Sequence, residues 1–447
     1  MHKLKKPNFT YSQISAISFM SIILIGALLL TLPISSRSGE ATPFIDALFT
    51  SASATCVTGL VVYDTYTHFS LFGQIVILSL IQIGGLGFMI IATLFSLMLK
   101  RKIGLKERGM LQESVSTVHI GGIVRLTKHI LFGTVIFEAI GAIILALRFY
   151  PDMGLKQGLY NGVFHSISAF CNAGFDLMGR FEPSSSLTLY SGDIVVNLVI
   201  MSLIVVGGVG FLVWEDIFTN KLKFCKYRLH TKIVLVVTAT LIIVPAIIFY
   251  SIERTNSFAG MGTTESWLAS FFQSITPRTA GFNTVNIAEL SEGSILLTII
   301  LMVIGGSPGS TAGGVKTTSF AVIILSLIAS IRHTEDINVF NRRLERDVIK
   351  KAYDVITIYF MCCALAVLLI CALQPFGLKE VFFEVVSALS TVGMSTGITP
   401  DLNSLSKFII TLLMFFGRVG SLSVALVFSE KKEYIPIRKP VEKISIG

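Results

Sequence analysis

Long apolar stretches alternate with short polar connections along the chain, and eight of them are long enough to matter: 13–33, 71–98, 128–150, 193–219, 231–252, 294–332, 348–374 and 405–428. Each holds about 20 residues or more, enough to cross a ~30 Å hydrocarbon core as a helix. The sixth is interrupted. Between the two members of each successive pair lies a shorter apolar stretch of 10–14 residues. That length suits a half-helix that enters the membrane and turns back. The pattern predicts an all-α integral membrane fold: eight transmembrane helices in four repeats of helix, re-entrant loop, helix around a central pore. The repeats run 1–100, 101–222, 223–340 and 341–447.

The short stretches repeat in detail. They read FTSASATCVTGL (49–60), FHSISAFCNAGF (164–175), FFQSITPRTAGF (271–282) and FFEVVSALSTVGM (382–394). Gly59, Gly174, Gly281 and Gly393 each lie ten residues after a phenylalanine (Phe49, Phe164, Phe271, Phe383), at intervals of 115, 107 and 112 residues (174−59, 281−174, 393−281). Six places before the glycine stand Ser53, Ser168, Ile275 and Ser387, and three places before it Cys56, Cys171, Arg278 and Ser390. Internal repetition at this scale is an architectural signal. Tight turns between buried helices are the competing reading.

Four re-entrant loops on one axis would aim backbone carbonyls at a shared point, replacing the hydration shell of an alkali cation without a trapping full charge. Glycine suits the turn because it takes up φ > 0 and has no Cβ to obstruct passage. Each short helix would also direct its negative C-terminal dipole end at the ion. The candidate ion-binding backbone is Thr55–Gly59, Phe170–Gly174, Pro277–Gly281 and Leu389–Gly393. The individual positions are Thr55, Cys56, Val57, Thr58 and Gly59; Cys171, Asn172, Ala173 and Gly174; Arg278, Thr279, Ala280 and Gly281; and Ser390, Thr391, Val392 and Gly393.

The second long stretch of each repeat carries IGGLGF (83–88), VGGVGF (206–211), IGGSPG (304–309) or FGRVGS (416–421). Glycine pairs in apolar helices allow close approach, the role expected of Gly84, Gly87, Gly207 and Gly210. The third copy departs from this. Gly305, Gly306, Ser307, Pro308, Gly309, Ser310, Thr311, Ala312, Gly313 and Gly314 cannot hold a helix, since glycine costs about 1 kcal/mol and proline about 3. Non-helical backbone at membrane depth survives only buried in protein or lining a wet cavity, so this break is a candidate gate. It falls short of a phosphate loop, because Val315 separates Gly314 from Lys316 where that motif needs lysine directly after glycine.

Lys316 and Arg418 are the two basic residues deep inside spans, away from the span ends, and join the gate candidates. Charges there are costly and face the interior or a pore. Arg418 stands where the other copies have Gly85, Gly208 and Gly306. It reads either as an electrostatic barrier to a falling cation or as half of an ion pair, with Glu138 the one carboxylate in view. Glu138 itself reads equally as a packing partner or an ion carrier.

Charge sets the expected orientation. Of 36 Lys and Arg, 26 fall in the N-terminal tail, the loops after spans two, four and six, and the C-terminal tail; eight lie opposite. This asymmetry places both termini in the cytoplasm, in a plasma membrane. It also accounts for the net charge of +9 without a nucleic-acid partner, anionic lipid being sufficient. Only 14% of residues are charged and mean hydropathy is +0.76, against roughly a quarter charged in soluble domains. The basic N-terminus before the first span resembles a signal peptide, but no small-residue cleavage site follows, so a retained helix is expected. Six cysteines show no metal-ligand spacing, and no metal beyond a transported ion and no covalent cofactor is expected.

These residues resemble the Ktr/Trk/HKT superfamily of potassium transporters over about 13–428. The marks are the four glycines, Ser390-Thr391-Val392-Gly393, the Gly-rich break and Arg418. With eight spans the chain looks most like the membrane subunit of a bacterial Ktr system. The resemblance implies potassium uptake by a homodimer on a cytosolic ring of nucleotide-binding regulatory subunits, with sodium activation a further expectation. Gly59, where some plant relatives carry serine and prefer sodium, leans toward potassium. The chain carries no Gly-x-Gly-x-x-Gly of its own, so nucleotide control would come from a partner docking on basic loops such as 101–127, 333–347 and 429–447. Two other readings stand beside this one: a sodium-coupled or sodium-permeable transporter of the same fold, and an intramembrane enzyme. The enzyme would need convergent carboxylates or His, and the seven His are scattered, His165 lying in the second short segment.

Overall fold

The computed structural model of the chain describes residues 10–98, 104–114, 122–221, 223–334, 336–420 and 442. The end of the eighth predicted span (421–428), the C-terminal tail apart from residue 442, and parts of the 101–127 loop lie outside the described residues.

Among the described residues, four uninterrupted helices are long and apolar enough to cross a membrane: Tyr11–Thr31, Ile123–Met153, Leu229–Glu253 and Arg346–Leu373. These outer helices leave large apolar side chains uncovered, Phe132 at 70% and Met361 at 68% exposure among them, as a lipid-facing surface requires. After each comes a short helix, Phe44–Thr55, Leu155–Cys171, Thr263–Ile275 or Leu378–Ser390. The second of these is 17 residues long, beyond the 10–14 expected.

An inner helix follows each short one. All four inner helices begin on a side-chain cap: Ser70 accepts from Gly73 N–H, Asp193 from Val196, Ser291 from Ser294 and Asn403 from Ser406. Such caps satisfy amides that helix starts leave without partners. The first three do not run straight through, and the described part of the fourth ends at a glycine. The first breaks at Gly87 (φ 88°), between Leu71–Leu86 and Phe88–Met98. The second bends by 93° at Gly210 (φ 102°), between Ile194–Val209 and Phe211–Asn220. The third stops at Val303 and resumes at Thr317; the fourth ends at Val419, before Gly420 (φ 95°). Interruption was expected only in the third. Gly84 and Gly207 do pack closely, each Cα facing a carbonyl (Thr55, Phe170). Gly87 and Gly210 take a positive φ that breaks the helix, and Gly210 packs closely as well, a Cβ there standing 2.8 Å from the Pro308 carbonyl oxygen.

The chain closes on itself through a buried ion pair. Lys407 Nζ, on the fourth inner helix, meets Asp46 Oδ1 on the first short helix at 2.7 Å. Tyr63 donates to the other Asp46 oxygen at 2.8 Å. A two-stranded hairpin, Asn338–Val339 with Arg342–Arg343, joins the third and fourth repeats.

Candidate functional site

The four glycines meet in a ring. A Cβ built on Gly59 would stand 2.5 Å from the Ala173 carbonyl oxygen, one on Gly174 2.7 Å from that of Ala280, and one on Gly281 2.5 Å from that of Val392. Gly393 closes the circuit against the Thr58 carbonyl. Each glycine thus abuts the residue just before the next repeat's glycine, in the order one, two, three, four. No side chain fits at any of them.

Backbone conformation repeats with the ring. The glycines have φ of 95°, 69°, 81° and 90°, and two places earlier Val57, Asn172, Thr279 and Thr391 have φ of 57°, 60°, 74° and 53°. The residue between is not left-handed in any copy. Alternating hands turn successive N–H groups to one side and carbonyls to the other. The N–H side faces the short helices: Thr58 N–H donates to Ser53 O, Ala173 to Ser168 O and Val392 to Ser387 O, each at 2.8 Å. The carbonyls of Thr58, Ala173, Ala280 and Val392 are the atoms set against the neighbouring glycines. Positive φ strains β-branched residues such as Val57 and Thr391, and its recurrence in all four copies shows that the surrounding fold imposes it.

The serine column six places before the glycine fastens this turn. Ser53 Oγ accepts from Gly59 N–H and Ser387 Oγ from Gly393 N–H, both at 3.1 Å, while Ser168 Oγ donates to Phe175 O at 2.7 Å. In the third repeat, where Ile275 occupies the column, Thr276 donates to Phe282 O at 2.6 Å. A hydroxyl shifted by one residue replaces the missing serine.

Side chains three places before the glycine point outward. Cys171 Sγ lies 3.5 Å from Gln82 Oε1, Ser390 Oγ lies 2.6 Å from Tyr359 Oη, and the Arg278 guanidinium donates to Thr238 at 3.4 Å. The hydroxyls of Thr55, Thr58 and Thr391 are buried without a protein partner among the described residues.

Beneath the ring lies the excursion of the third inner helix. Its ends are tied, Gly305 N–H to Val315 O at 2.9 Å and Thr317 N–H to Gly306 O at 3.1 Å. Its body reaches the second repeat through Ser307 N–H to Gly208 O (3.0 Å), Thr311 Oγ1 to Phe170 O (3.2 Å) and Phe211 N–H to Gly309 O (2.7 Å). Gly313 packs on Thr391, directly below the fourth strand. Lys316 Nζ donates to the carbonyls of Ala312 (2.7 Å) and Gly313 (3.3 Å). Arg418 donates to Thr311 O and to the carbonyls of Gly84 and Gly85, the last at 2.9 Å. Its partners are therefore the excursion and the first inner helix. No carboxylate pairs with it among the described residues. Glu138 is occupied elsewhere, accepting from Gln82 Nε2 at 3.1 and 3.2 Å.

Above the ring, a cavity of about 260 Å³ is bounded by all four glycines together with Asp64 and Asp176. Burial lifts the Asp176 carboxyl to about 7; the Met178 N–H opposes the rise and the charge of Asp64 adds to it. Asp64 is itself tied to Ser184 N–H at 3.0 Å.

The sequence profile of the TrkH family, described as cation transport protein, matches residues 6–435. The chain is 42% identical over 448 residues to Ktr system potassium uptake protein B of Bacillus subtilis, covering 99% of this chain and 98% of that protein. It is 38% identical to potassium/sodium uptake protein NtpJ of Enterococcus hirae, covering 100% and 99%. The crystal structure of the potassium transporter TrkH from Vibrio parahaemolyticus superposes with a TM-score of 0.74 at 17% identity, covering 96% of this chain and 86% of that one.

Proposed function

Since the chain belongs to the TrkH family of cation transport proteins, we propose that it carries potassium across the cell membrane through a selectivity filter made by the four glycine strands. It is a multi-pass membrane protein and a transporter, not an enzyme. The observation that carries the reading is the closed ring of left-handed turns: N–H groups bond to the short helices, and each glycine sits against its neighbour's carbonyl. Carbonyl oxygens substitute for hydration water, and their field strength and spacing favour one alkali cation over another. The unpartnered hydroxyls of Thr55, Thr58 and Thr391 supply further oxygens. In this reading the chain forms eight spans in four repeats, with both termini cytoplasmic.

The excursion at 305–314 is the proposed gate. It lies directly under the strands, and Arg418 bolts it to the first repeat. We further propose that the protein works as a homodimer under a cytosolic nucleotide-binding subunit docked on its basic loops, a reading supported by its full-length likeness to a Ktr system protein. The likeness to a potassium/sodium uptake protein favours a second reading in which sodium also permeates.

Gly59→Ser tests the filter. The added side chain meets the Ala173 carbonyl and strains a φ of 95°, so the ring must widen. Rubidium and sodium uptake into vesicles holding the purified variant should show about tenfold weaker discrimination, a shift of about 1.4 kcal/mol. Unchanged discrimination removes Gly59 from the filter.

A further inference from the structure

Past each glycine the chain has to leave the ring and climb to the next inner helix. That exit segment is held differently in each repeat. In the second, the holder is His165, one residue beyond Phe164 and fully buried. Its Nδ1 faces the Asn161 carbonyl at 2.8 Å and so carries the proton. Nε2 is left as an acceptor, and it receives the Leu177 N–H at 3.3 Å, three residues past Gly174.

In the fourth repeat the matching residue, one beyond Phe383, is Glu384, 1% exposed. Its carboxylate accepts from Ser395 Oγ at 2.8 Å and from Thr399 Oγ1. Ser395 Oγ in turn accepts the Gly397 N–H at 3.0 Å. Ser395, Gly397 and Thr399 line the cavity above the ring.

The other two copies lack this device. Among the described residues Thr50 bonds only back to the Asp46 carbonyl of its own helix, at 2.9 Å, and Phe272 is apolar. Their exits are held by Tyr63 on Asp46 and, for Asn283, by Ser186 and Leu187 of the second repeat. Burying a carboxylate is costly unless its oxygens are matched by donors, and packing alone would be met by an apolar residue. Here the side-chain partners of Glu384 all lie on the exit segment.

We propose that His165 and Glu384 are positioning residues that set the spacing of the second and fourth strands by anchoring the segments that leave them. The ring runs one, two, three, four, so these strands face each other across the axis. Their separation is one diameter of the ring, and selectivity responds to it. The inference rests on the reading of the strands as a selectivity filter.

The test compares rubidium and sodium uptake in vesicles of purified protein. Glu384→Val and His165→Phe keep bulk and remove the acceptors. Each should weaken the rubidium-to-sodium ratio about tenfold, equal to about 1.4 kcal/mol, mainly by admitting sodium. Glu384→Gln and His165→Gln, which keep one acceptor, should hold the ratio within about threefold. Should Glu384→Val fail to accumulate, Thr399→Val with Ser395→Ala breaks the same contact from the exit side and should show the same loss. A purely structural role would lower both fluxes in proportion, and an unchanged ratio overturns the proposal. Gly59→Ser run alongside separates the two failures. If it shifts the ratio and the anchor variants do not, the anchors fail and the filter stands; if none shifts it, both fall.

Discussion

The ring of glycine strands and the space just below it are built from the same repeated segments, yet they differ in symmetry. In the ring, all four copies share two left-handed residues and a side-chain hydroxyl that fastens the turn. Below it, one copy leaves the pattern for an excursion between Val303 and Thr317, and another replaces glycine with Arg418. A coordination shell gains from equivalent oxygens on all sides. An obstruction needs only one element that moves, and four equivalent ones would have to move together. Symmetry is kept where a cation would lose its water and abandoned where passage would be controlled.

Removing residues 307–312 should break this contrast most strongly. The excursion's ends stay bridged by Gly305 and Val315, so the shortened loop can close without its body. Uptake should rise about a hundredfold if the loop accounts for about 2.7 kcal/mol of the barrier. A deletion that folds and conducts like the parent shows that the loop does not obstruct.

Arg418→Gln comes next. It removes a charge held by three carbonyls from two repeats, loosening the excursion and lowering repulsion of a cation below the ring. Flux should rise about tenfold for each 1.4 kcal/mol removed, with maximal rate changed more than apparent affinity. Equal flux in a folded variant would confine Arg418 to holding structure.

The smallest effect belongs to the upper side. Asp176 borders the cavity above the ring with its carboxyl lifted to about 7. It is neutral below that pH and negative above it, so it draws cations to the mouth only on the alkaline side. Lowering external pH from 8 to 6 should raise the apparent KM for rubidium about two- to threefold, and Asp176→Asn should abolish the change. A persistent pH dependence in the variant assigns it to another group.

Glycine left a signature in the sequence wherever backbone demanded it, and the four ring positions were legible for that reason. Their left-handed companions were not. Nothing about valine at Val57 or threonine at Thr391 announces positive φ, which side chains of that shape resist. The serine column could be read, but Thr276 could not, because the third repeat moves its hydroxyl by one residue. The sequence marks Gly87 and Gly210 for packing but not for ending a helix, because a glycine that lets helices touch and one that ends a helix look alike in a string of letters. Arg418 stood out because a charge in an apolar span is expensive. Its partners are backbone carbonyls, which carry no residue identity to search for. His165 and Glu384 share a column, but their chemistries differ enough to hide the common task.

Asp46 and Lys407 join segments 361 residues apart. At about 5–20 residues per second of synthesis, the acid is made roughly 20–70 s before its base. Throughout that interval the Asp46–Lys407 pair lacks its basic half. All four ring glycines are made before the inner helix Ser404–Val419 that carries Lys407. A chain cut short before residue 407 therefore lacks the ion pair that joins the first short helix to the fourth inner one.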